Sequence, residues 1–287
     1  MIEALLLYNP VAGRSPLTLQ RLKNLREKLD RSGIRTQAFA SYPERKSAPS
    51  FHLENKELLL VYGGDGTIHD AIQEAVKWKI PVGLLPGGTV NGLARELEIP
   101  QNLDQAIEVV ARKKLHKIYL GKANGEFFHM MAGIGLDGYV INQLDLRLKK
   151  ALGVSSYWIA GLTFFWKYPL KEFELTLDGE NHRATFAVIG NGRLYGGQLL
   201  ITPKASVNED MLDVCMFTSK NRLRFFKYLG GAFNGRHVNY PDVFYRKSQE
   251  VRVSGDKTIL VQMDGEVVGR IPMTFSTYRE GIEIIVP

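Results

Sequence analysis

The sequence predicts an α/β domain with a doubly wound parallel sheet, followed by a mostly β region. The first third of the chain alternates apolar strand-like runs with segments of helical spacing, which is the order found around parallel sheets. Near residue 115 the pattern changes to short alternating runs separated by turn signals. The 287 residues, 45% of them hydrophobic, suit two domains with sizeable cores.

The strands of the first domain are expected where short apolar runs occur, at residues 4–8, 34–40, 58–62 and 80–85. A first helix is expected to begin at Ser15-Pro16, an N-cap and N1 pair, with leucines at helical spacing at positions 19, 22, 25 and 29. Further helices are expected over residues 67–78 and 90–97, and another begins at Asn102 as its cap and runs through residue 111.

Short strands and turns dominate the rest of the chain. Residues 173–177 and 184–189, on either side of Asp178-Gly179, predict a hairpin. Other strands are expected at residues 251–253, 259–263 and 282–286. No repeat or low-complexity linker marks the domain boundary, which we place between residues 114 and 121.

Charge and cysteine content narrow the class of protein. The net charge of +7 would attract nucleic acid, anionic lipid or phosphorylated small molecules. Cys215 is the one cysteine, which excludes an intramolecular disulfide and a cysteine-rich zinc site and fits a reducing cytoplasm. No run reaches the roughly 18 apolar residues of a membrane span. The first residues lack the basic region of a signal peptide.

Three glycine-containing turns follow predicted strands of the first domain, at residues 9–13, 63–67 and 86–91. Glycine lets a backbone approach a ligand closely, and the N–H groups that begin a helix favour phosphate. The carboxyl ends of parallel strands lie at the ligand crevice of an open α/β sheet, so we expect the turns to face one ligand. Asp65 repels phosphate, and we expect it to hold a Mg²⁺ ion that neutralises phosphate charge.

Other motifs are missing or out of context. The sequence contains no P-loop, no Gly-x-Ser-x-Gly elbow and no paired metal-binding histidines. Residues 133–138 match Gly-x-Gly-x-x-Gly but lie outside the predicted βαβ region. Asp264-Gly265-Glu266 places two carboxylates in a probable strand-to-strand turn. One of them could be the general base that phosphoryl transfer to a hydroxyl requires, and a common Asp-Gly hairpin with a solvated glutamate is the alternative.

Residues 157–166 contain two of the three tryptophans among apolar side chains, with Lys149, Lys150 and Lys167 around them. This composition is typical of a segment that touches lipid, and equally of a buried helix packed on the β domain. The sequence leaves both interpretations open.

Taken in order, these motifs resemble the diacylglycerol kinase catalytic family, especially its bacterial lipid kinases, over nearly the whole chain. The glycine-aspartate run alone is shared with NAD kinases and sphingosine kinases, whereas the ordered set is far more specific. The set comprises Asn9-Pro10-x-x-Gly13, Gly63-Gly-Asp-Gly-Thr67, Gly88-Thr89-x-Asn91, Gly133-Ile-Gly-Leu-Asp137, Thr202-Pro-Lys-Ala205, Gly235-Arg-His237 with Pro241, and Asp264-Gly-Glu266.

The resemblance implies an NAD-kinase/diacylglycerol-kinase-like fold. A nucleotide-binding α/β domain of residues 1–118, to which residues 275–287 return, would precede a β-sandwich lipid-substrate domain of residues 119–274. It also implies an ATP- and Mg²⁺-dependent lipid kinase of the diacylglycerol type. Such an enzyme would be cytoplasmic, would meet its lipid substrate transiently at the membrane surface, and could form a homodimer. It would need no nucleic acid and no transmembrane segment.

Carried over by position, the resemblance also assigns residues. Asp65 would act through the catalytic Mg²⁺, and Asp264 or Glu266 would be the base. A second, structural Mg²⁺ would match the carbonyls of Ser206 and Met211 and the side chain of Glu209. The nucleotide would contact Asn9, Pro10, Val11, Ala12, Gly13, Arg14, Ser41, Gly63, Gly64, Asp65, Gly66, Thr67, Ile68, His69, Asp70, Gly88, Thr89 and Asn91.

Some positions depart from the family pattern. Gly92 and Tyr119 stand where the family has aspartates, and Asn208-Glu209-Asp210 replaces its Asp-Asp-Gly. Arg14 stands where some relatives have a lysine that is linked to the equivalent of Lys171. Two alternative functions therefore stay open: an NAD kinase or other soluble-metabolite kinase on the same scaffold, and a nucleotide-binding regulator without catalysis.

Overall fold

The computed structural model describes residues 1–11, 17–41, 53–143 and 166–287. They form two compact units, one of Met1–Ile118 with Glu280–Pro287 and the other of Tyr119–Arg279. The family resemblance implied a boundary between residues 118 and 119 and a returning segment that begins at residue 275, whereas the first unit resumes at Glu280. In the described parts of the chain, no helix has the length and hydropathy needed to cross a membrane.

The first unit is built on a parallel sheet with the strand order β2-β1-β3-β4. Its central strands form because they are nearly continuous apolar runs, and Leu5, Leu6 and Leu7 are at most 2% exposed. Ile284, near the end of the last strand of the chain, pairs with Val82 in parallel. The four strands are β1 (Ile2–Tyr8), β2 (Ile34–Ala40), β3 (Leu58–Gly63) and β4 (Val82–Pro86).

The helices of the first unit are α1 (Leu19–Arg31), α2 (Asp65–Trp78), α3 (Gly92–Glu96) and α4 (Leu103–Arg112). The expected start of α1 at Ser15-Pro16 is wrong: Thr18 is the N-cap, and its side chain accepts a hydrogen bond from the Arg21 N–H. Leu19 is 85% exposed, so the buried stripe of α1 begins later. The predicted cap of α4 is confirmed, since the Asn102 side chain accepts from Asp104 N and Gln105 N.

The second unit contains two antiparallel sheets and a separate two-stranded ribbon, β11 with β12. One sheet has six strands in the order β14-β13-β10-β7-β16-β17, and the other contains β18-β15-β8-β9 and the pair β5-β6. The strands are β5 (Leu115–Ala123), β6 (Glu126–Phe128), β7 (Met131–Ile134), β8 (Phe173–Leu177), β9 (Glu180–Ala184), β10 (Phe186–Gly190), β11 (Leu194–Tyr195), β12 (Leu199–Leu200), β13 (Leu212–Phe217), β14 (Val243–Ser248), β15 (Glu250–Gly255), β16 (Leu260–Met263), β17 (Glu266–Arg270) and β18 (Met273–Ile285).

A large apolar cluster lies in the second unit, with Phe128, Phe173 and Phe275 as its largest members, and a smaller one contains Leu136, Val140 and Tyr168. The large cluster is the core of the unit. It takes side chains from both sheets, which is the construction of a β-sandwich. The helices α5 (Leu136–Gln143) and α6 (Arg222–Ala232), with the 3₁₀ turn Arg236–Asn239, complete the unit. The predicted fold class, a parallel-sheet α/β domain followed by a β-sandwich, is confirmed.

The predicted hairpin of residues 173–177 and 184–189 is wrong in its second strand. Strand β8 turns at Asp178-Gly179, where both residues have positive φ, and pairs with β9. Strand β10, which carries the apolar pattern, lies in the other sheet between β13 and β7. The actual partner is polar because it is the last strand of its sheet, and an edge strand needs no apolar run.

Candidate functional site

The glycine-rich turns of the first unit lie at one edge of the parallel sheet. Residues directly after β1 and β2 are tied to their neighbours, because Asn9 N donates to Tyr62 O over 3.2 Å and Ser41 N donates to Tyr8 O over 2.8 Å. Gly63, at the end of β3, stands in register with Pro86 of β4. The structure thus brings the described residues that directly follow the four strands to the carboxyl edge, where open α/β sheets bind ligands.

Two of these turns touch backbone to backbone, which explains their glycines. Gly87 N donates to Gly63 O over 2.9 Å. A Cβ added at Gly88 would lie 2.3 Å from Gly64 Cα, and one added at Gly63 would lie 2.5 Å from the Thr67 hydroxyl. No larger residue fits at positions 63 and 88 without moving the main chain or a buried side chain, so the two turns pack directly against each other and form one surface.

Helix α2 begins inside this surface. Gly64 is its N-cap and offers no side chain to satisfy the N–H groups of the first turn. Such N–H groups, at the positive end of a helix of 14 residues, are suited to bind a phosphate. Of the predicted ligands in this helix, Gly66 is exposed, whereas Thr67, Ile68 and His69 are buried.

Asp65 is held against the beginning of α3. Its Oδ1 accepts a hydrogen bond from Gly92 N over 2.6 Å. Asn91 has a left-handed conformation with φ 54°. Its side-chain oxygen accepts a hydrogen bond from Gly88 N, and its side-chain nitrogen donates to Gly88 O and Gln101 Oε1. Gly92, which lacks the carboxylate expected at this position, therefore orients Asp65 through its backbone. Carboxylate oxygens such as those of Asp65 are ligands of the type that Mg²⁺ prefers, and the role of Asp65 as a metal ligand stays a prediction.

The remaining predicted nucleotide ligands follow strands β1, β2 and β4, and only some of them are described. Ser41 is buried, and its hydroxyl lies 3.2 Å from Asp70 Oδ2. Asn9 folds its side chain to accept from Val11 N over 2.9 Å, and Val11 itself is exposed. Pro10 follows Asn9, and Thr89 follows Gly88 in the fourth turn. Ala12, Gly13 and Arg14 lie outside the described residues.

The Asp264-Gly265-Glu266 turn of the second unit joins β16 to β17. Asp264 and Gly265 have φ values of 49° and 91°, the two positive values of a type I′ hairpin turn. The Asp264 carboxylate, 1% exposed, accepts hydrogen bonds from the backbone N–H groups of His129, Met130 and Met131 over 2.8, 3.0 and 3.1 Å. Its Oδ2 also lies 2.7 Å from His129 Nδ1. Both oxygens of the Asp264 carboxylate therefore already accept hydrogen bonds from the main chain.

Glu266 has the opposite surroundings. It is the first residue of β17 and is exposed. Within the described residues, its carboxylate makes no hydrogen bond or ion pair. The turn therefore separates two tasks that the sequence could not assign: Asp264 fixes the hairpin to the strand before it, and Glu266 presents a carboxylate that can accept a proton.

A buried chain of hydrogen bonds supports this turn from behind. Gln262 Oε1 accepts from Gly265 N over 2.8 Å, and Gln262 Nε2 donates to Asp137 Oδ2 over 2.6 Å. The Tyr195 hydroxyl donates to the other oxygen of Asp137. Asp137 and Gln262 are 6% and 1% exposed, and burial raises the pKa of the Asp137 carboxyl to about 6 although both hydrogen bonds oppose the rise.

The Gly-x-Gly-x-x-Gly run has a packing role here. A Cβ at Gly133 would lie 1.8 Å from Asp137 Oδ2, and one at Gly138 would lie 2.8 Å from the Leu260 carbonyl carbon. Gly135 has φ 92°. These glycines thus let the chain turn sharply between β7 and α5, and they let α5 lie close to β7 and β16. The neighbours of β7 are antiparallel, so the run has no parallel βαβ context.

The predicted structural metal ligands occupy the loop before β13. Glu209 N donates to Ser206 O over 3.0 Å, whereas the Glu209 carboxylate is bound by the Lys247 ammonium. This hydrogen bond raises the pKa of Lys247. Glu209 would have to leave Lys247 to join the carbonyls of Ser206 and Met211 around an ion, and the site stays a prediction.

Several other expectations can be placed. Cys215 is fully buried in β13, as expected for an apolar strand residue. Lys171 donates to Asp256 Oδ2 over 2.6 Å and to Thr258 Oγ1 over 2.8 Å. The aromatic segment of residues 157–166 lies outside the described residues, apart from Trp166, which is 55% exposed.

The sequence interpretation missed the supporting residues of the turn. Gln262 is a buried amide in a strand, and its position directly before Met263-Asp264 is the only local signal for its role. Asp137 was noticed as part of a motif but was given no function. The bond between them joins residues 125 positions apart, which no local pattern predicts.

Comparison with known proteins agrees with this architecture. The family model of the diacylglycerol kinase catalytic domain matches residues 3–123, and that of the YegS C-terminal NAD kinase beta sandwich-like domain matches residues 131–286. Diacylglycerol kinases of Staphylococcus carnosus (strain TM300) and Bacillus subtilis (strain 168) are each 26% identical to this chain. The alignments cover 99% and 100% of the chain and 95% and 97% of those proteins.

The fold also resembles a crystal structure of a diacylglycerol kinase from Bacillus anthracis str. Sterne. The TM-score is 0.79 at 24% identity, with 99% of this chain and 97% of the other covered. The chain therefore belongs to the diacylglycerol kinase family, with a diacylglycerol kinase catalytic domain followed by a YegS-type C-terminal domain, and it is a lipid kinase, a phosphotransferase with an alcohol group as acceptor.

Proposed function

We propose that this protein transfers the γ-phosphoryl group of ATP, with Mg²⁺, to the hydroxyl of a diacylglycerol-type lipid, with Glu266 as the general base. The observation that carries the proposal is the division of labour in the Asp264-Gly265-Glu266 turn. The Asp264 carboxylate accepts hydrogen bonds from three backbone N–H groups, whereas the Glu266 carboxylate is exposed and has no partner among the described residues. A hairpin held this firmly presents its glutamate at a fixed position, which general-base catalysis requires.

The nucleotide would be bound by the turns of the first unit. The peptide groups around Gly64 and Gly88 and the first turn of α2 would hold phosphate oxygens, because N–H groups at a helix N-terminus favour anions. Asn9, Ser41 and Asp70 border the same edge. Bound Mg²⁺, with Asp65 as its carboxylate ligand, would neutralise the charge of the triphosphate.

The reaction balances with these groups. The lipid hydroxyl oxygen forms a bond to the γ-phosphorus, the bond from that phosphorus to the bridging oxygen of the β-phosphate breaks, and ADP leaves. The hydroxyl proton passes to Glu266. Phosphoryl transfer depends mainly on positioning and charge stabilisation, so one correctly placed base is sufficient.

The relatives named as diacylglycerol kinases support the choice of acceptor, and so does the chain-long similarity to them. Diacylglycerol is embedded in membranes, so a transient stay at the membrane surface follows from the proposal. A homodimer and a second, structural Mg²⁺ at Ser206, Glu209 and Met211 remain predictions.

The test is transfer of radiolabelled phosphate from ATP to a panel of lipids in mixed micelles, with and without Mg²⁺. We expect labelled phosphatidic acid from diacylglycerol and little product from sphingoid bases or isoprenoid alcohols. A water-soluble labelled product would instead favour a metabolite kinase, and tight ATP binding without any product would favour a non-catalytic regulator. Either result would refute the proposal.

Variants connect the activity to the proposed residues. Glu266→Gln should keep the fold and lower the rate by about 10²-fold or more, the usual contribution of a general base. Asp65→Asn should lose activity in proportion to the loss of Mg²⁺-dependent ATP binding. Glu126→Gln, which changes another exposed glutamate of the second unit, is the matched control and should behave like the wild type.

A further inference from the structure

One peptide group of the Asp264-Gly265-Glu266 turn is not fixed by the strands that the turn joins. Met263 and Glu266 stand opposite each other where β16 ends and β17 begins, so Asp264 and Gly265 form the loop between them. Asp264 is held by its carboxylate and by its own N–H group, which donates to Met131 O over 3.0 Å. Gly265 has φ 91° and no side chain, and a glycine can leave such a conformation for many others. The position of Glu266 therefore depends on what holds Gly265.

The side chain of Gln262 holds Gly265. Its Oε1 accepts a hydrogen bond from Gly265 N over 2.8 Å, and the residue is 1% exposed. This bond fixes the plane of the peptide group between Asp264 and Gly265. A side-chain amide has one accepting end and one donating end, so Gln262 can hold Gly265 only while its oxygen faces the turn. With the amide reversed, two N–H donors would face each other.

Asp137 determines which way the Gln262 amide faces. Gln262 Nε2 donates to Asp137 Oδ2 over 2.6 Å. Asp137 is 6% exposed, and burial raises the pKa of its carboxyl to about 6, so the group is ionised above that pH. An ionised carboxylate only accepts hydrogen bonds, so the NH₂ end of Gln262 faces Asp137 and the oxygen is left for the turn. The Tyr195 hydroxyl donates to the other carboxylate oxygen and completes the chain.

We propose that Gln262, with its amide oriented by Asp137, is a positioning residue that fixes Glu266 for phosphoryl transfer. Gln262 acts through the N–H group of Gly265 and touches no reacting atom. A general base works only within hydrogen-bond reach of the hydroxyl that it deprotonates, and a displacement of about 1 Å can lower a rate by about 10²-fold. The inference rests on the proposed function, in which Glu266 is that base.

The first test is Gln262→Met, which removes both hydrogen bonds of the amide at nearly the same side-chain volume. For transfer from ATP to diacylglycerol in mixed micelles, kcat should fall by roughly tenfold or more, and the KM values for ATP and lipid should stay unchanged. Gln249→Met is the matched control, because it removes a partly buried glutamine that is hydrogen-bonded to Asp210 in the same unit. The control should lower the stability of the protein and leave kcat unchanged.

A double-mutant cycle distinguishes positioning from general stabilisation. In the Glu266→Gln background, Gln262→Met should lower kcat no further, because the group that it positions is no longer a base. A residue that only stabilised the unit would lower kcat by the same factor in both backgrounds. An equal factor in the two backgrounds would therefore overturn the inference.

An exchange of the acid and the amide provides the rescue. In the pair Asp137→Asn with Gln262→Glu, the new carboxylate at position 262 can accept from Gly265 N and from the new amide at position 137. The oxygen of that amide can accept from the Tyr195 hydroxyl, so each hydrogen bond of the chain has a counterpart. The exchanged pair should regain most of the rate that Gln262→Met loses. A folded pair as slow as Gln262→Met would overturn the inference.

Circular dichroism would establish that each variant is folded before rates are compared. If Gln262→Met does not fold, Gln262→Asn replaces it, because a side chain one methylene shorter cannot reach both partners. The inference and the proposed function fail in different measurements. Wild-type transfer by folded Glu266→Gln would refute the base, and the positioning role with it. Slow transfer by Glu266→Gln together with a wild-type rate in folded Gln262→Met would overturn the positioning role alone.

Discussion

Replacing Asp137 by asparagine should stabilise the second unit at neutral pH and remove a pH dependence that the wild-type protein shows between about pH 4 and pH 6. Asp137 is 6% exposed, and its carboxylate accepts from Gln262 and Tyr195. An asparagine fits the same space. Its amide oxygen can accept from Gln262 Nε2, and its NH₂ group can donate to the Tyr195 hydroxyl, which also accepts hydrogen bonds.

The magnitude follows from the pKa. Burial raises the pKa of Asp137 from 3.8 to about 6. Well below pH 4 the carboxyl is protonated in the folded and the unfolded chain, and well above pH 6 it is ionised in both. Between these values the folded chain keeps a proton that the unfolded chain has lost. The free energy of unfolding contributed by this group therefore falls by about 3 kcal/mol as the pH rises from 4 to 6, and then stays low.

The assay is hydrogen exchange, followed by mass spectrometry, in peptides covering β7 and β16. Wild type and Asp137→Asn are compared at the same pH, so the intrinsic exchange rate cancels. We expect the variant to gain protection relative to the wild type as the pH rises from 4 to 6, by an amount that corresponds to about 3 kcal/mol. Glu126→Gln serves as the control and should show no gain. Protection that differs by a constant amount at every pH would refute the reasoning, because ionisation of Asp137 would then cost nothing.

Three further predictions concern packing within each unit. Gly88→Ala should destabilise the first unit by several kcal/mol, since the new Cβ would lie 2.3 Å from Gly64 Cα, and urea unfolding should detect the loss. Gly230→Ala in α6, where nothing lies within 4 Å of the added atom, should be neutral or slightly stabilising. Cys215 should resist iodoacetamide until the protein unfolds, because burial raises the pKa of its thiol; modification of the native protein would contradict this.

Much of the fold could be predicted from the sequence because its signals are local. The strands β1 and β3 are apolar runs, and Asn102 has the side chain that caps a helix. The predictions of the start of α1 and of the partner of β8 failed, because the local pattern allowed more than one choice. Thr18 and Ser15 are both good N-cap residues, and the sequence pattern alone does not choose between them. Strand β9 was missed because an edge strand can be polar.

The candidate site also has a part that could be predicted from the sequence and a part that could not. Turns that need glycine for close backbone contact leave a trace in the sequence, so the turns at Gly64 and Gly88 could be predicted. The choice between Asp264 and Glu266 could not. It depends on N–H groups of residues 129–131, more than 130 positions earlier in the chain. Only the folded strands bring those groups to Asp264, and this contact singles out Glu266 as the candidate base.

The central claim is tested most directly by the rate at which Glu266→Gln transfers labelled phosphate from ATP to diacylglycerol. The variant should fold and bind ATP like the wild type, and its rate of phosphate transfer should be lower by about 10²-fold or more. Asp264→Asn, by contrast, should lose stability together with activity, because three N–H groups would face an amide. Wild-type transfer by folded Glu266→Gln would contradict the account.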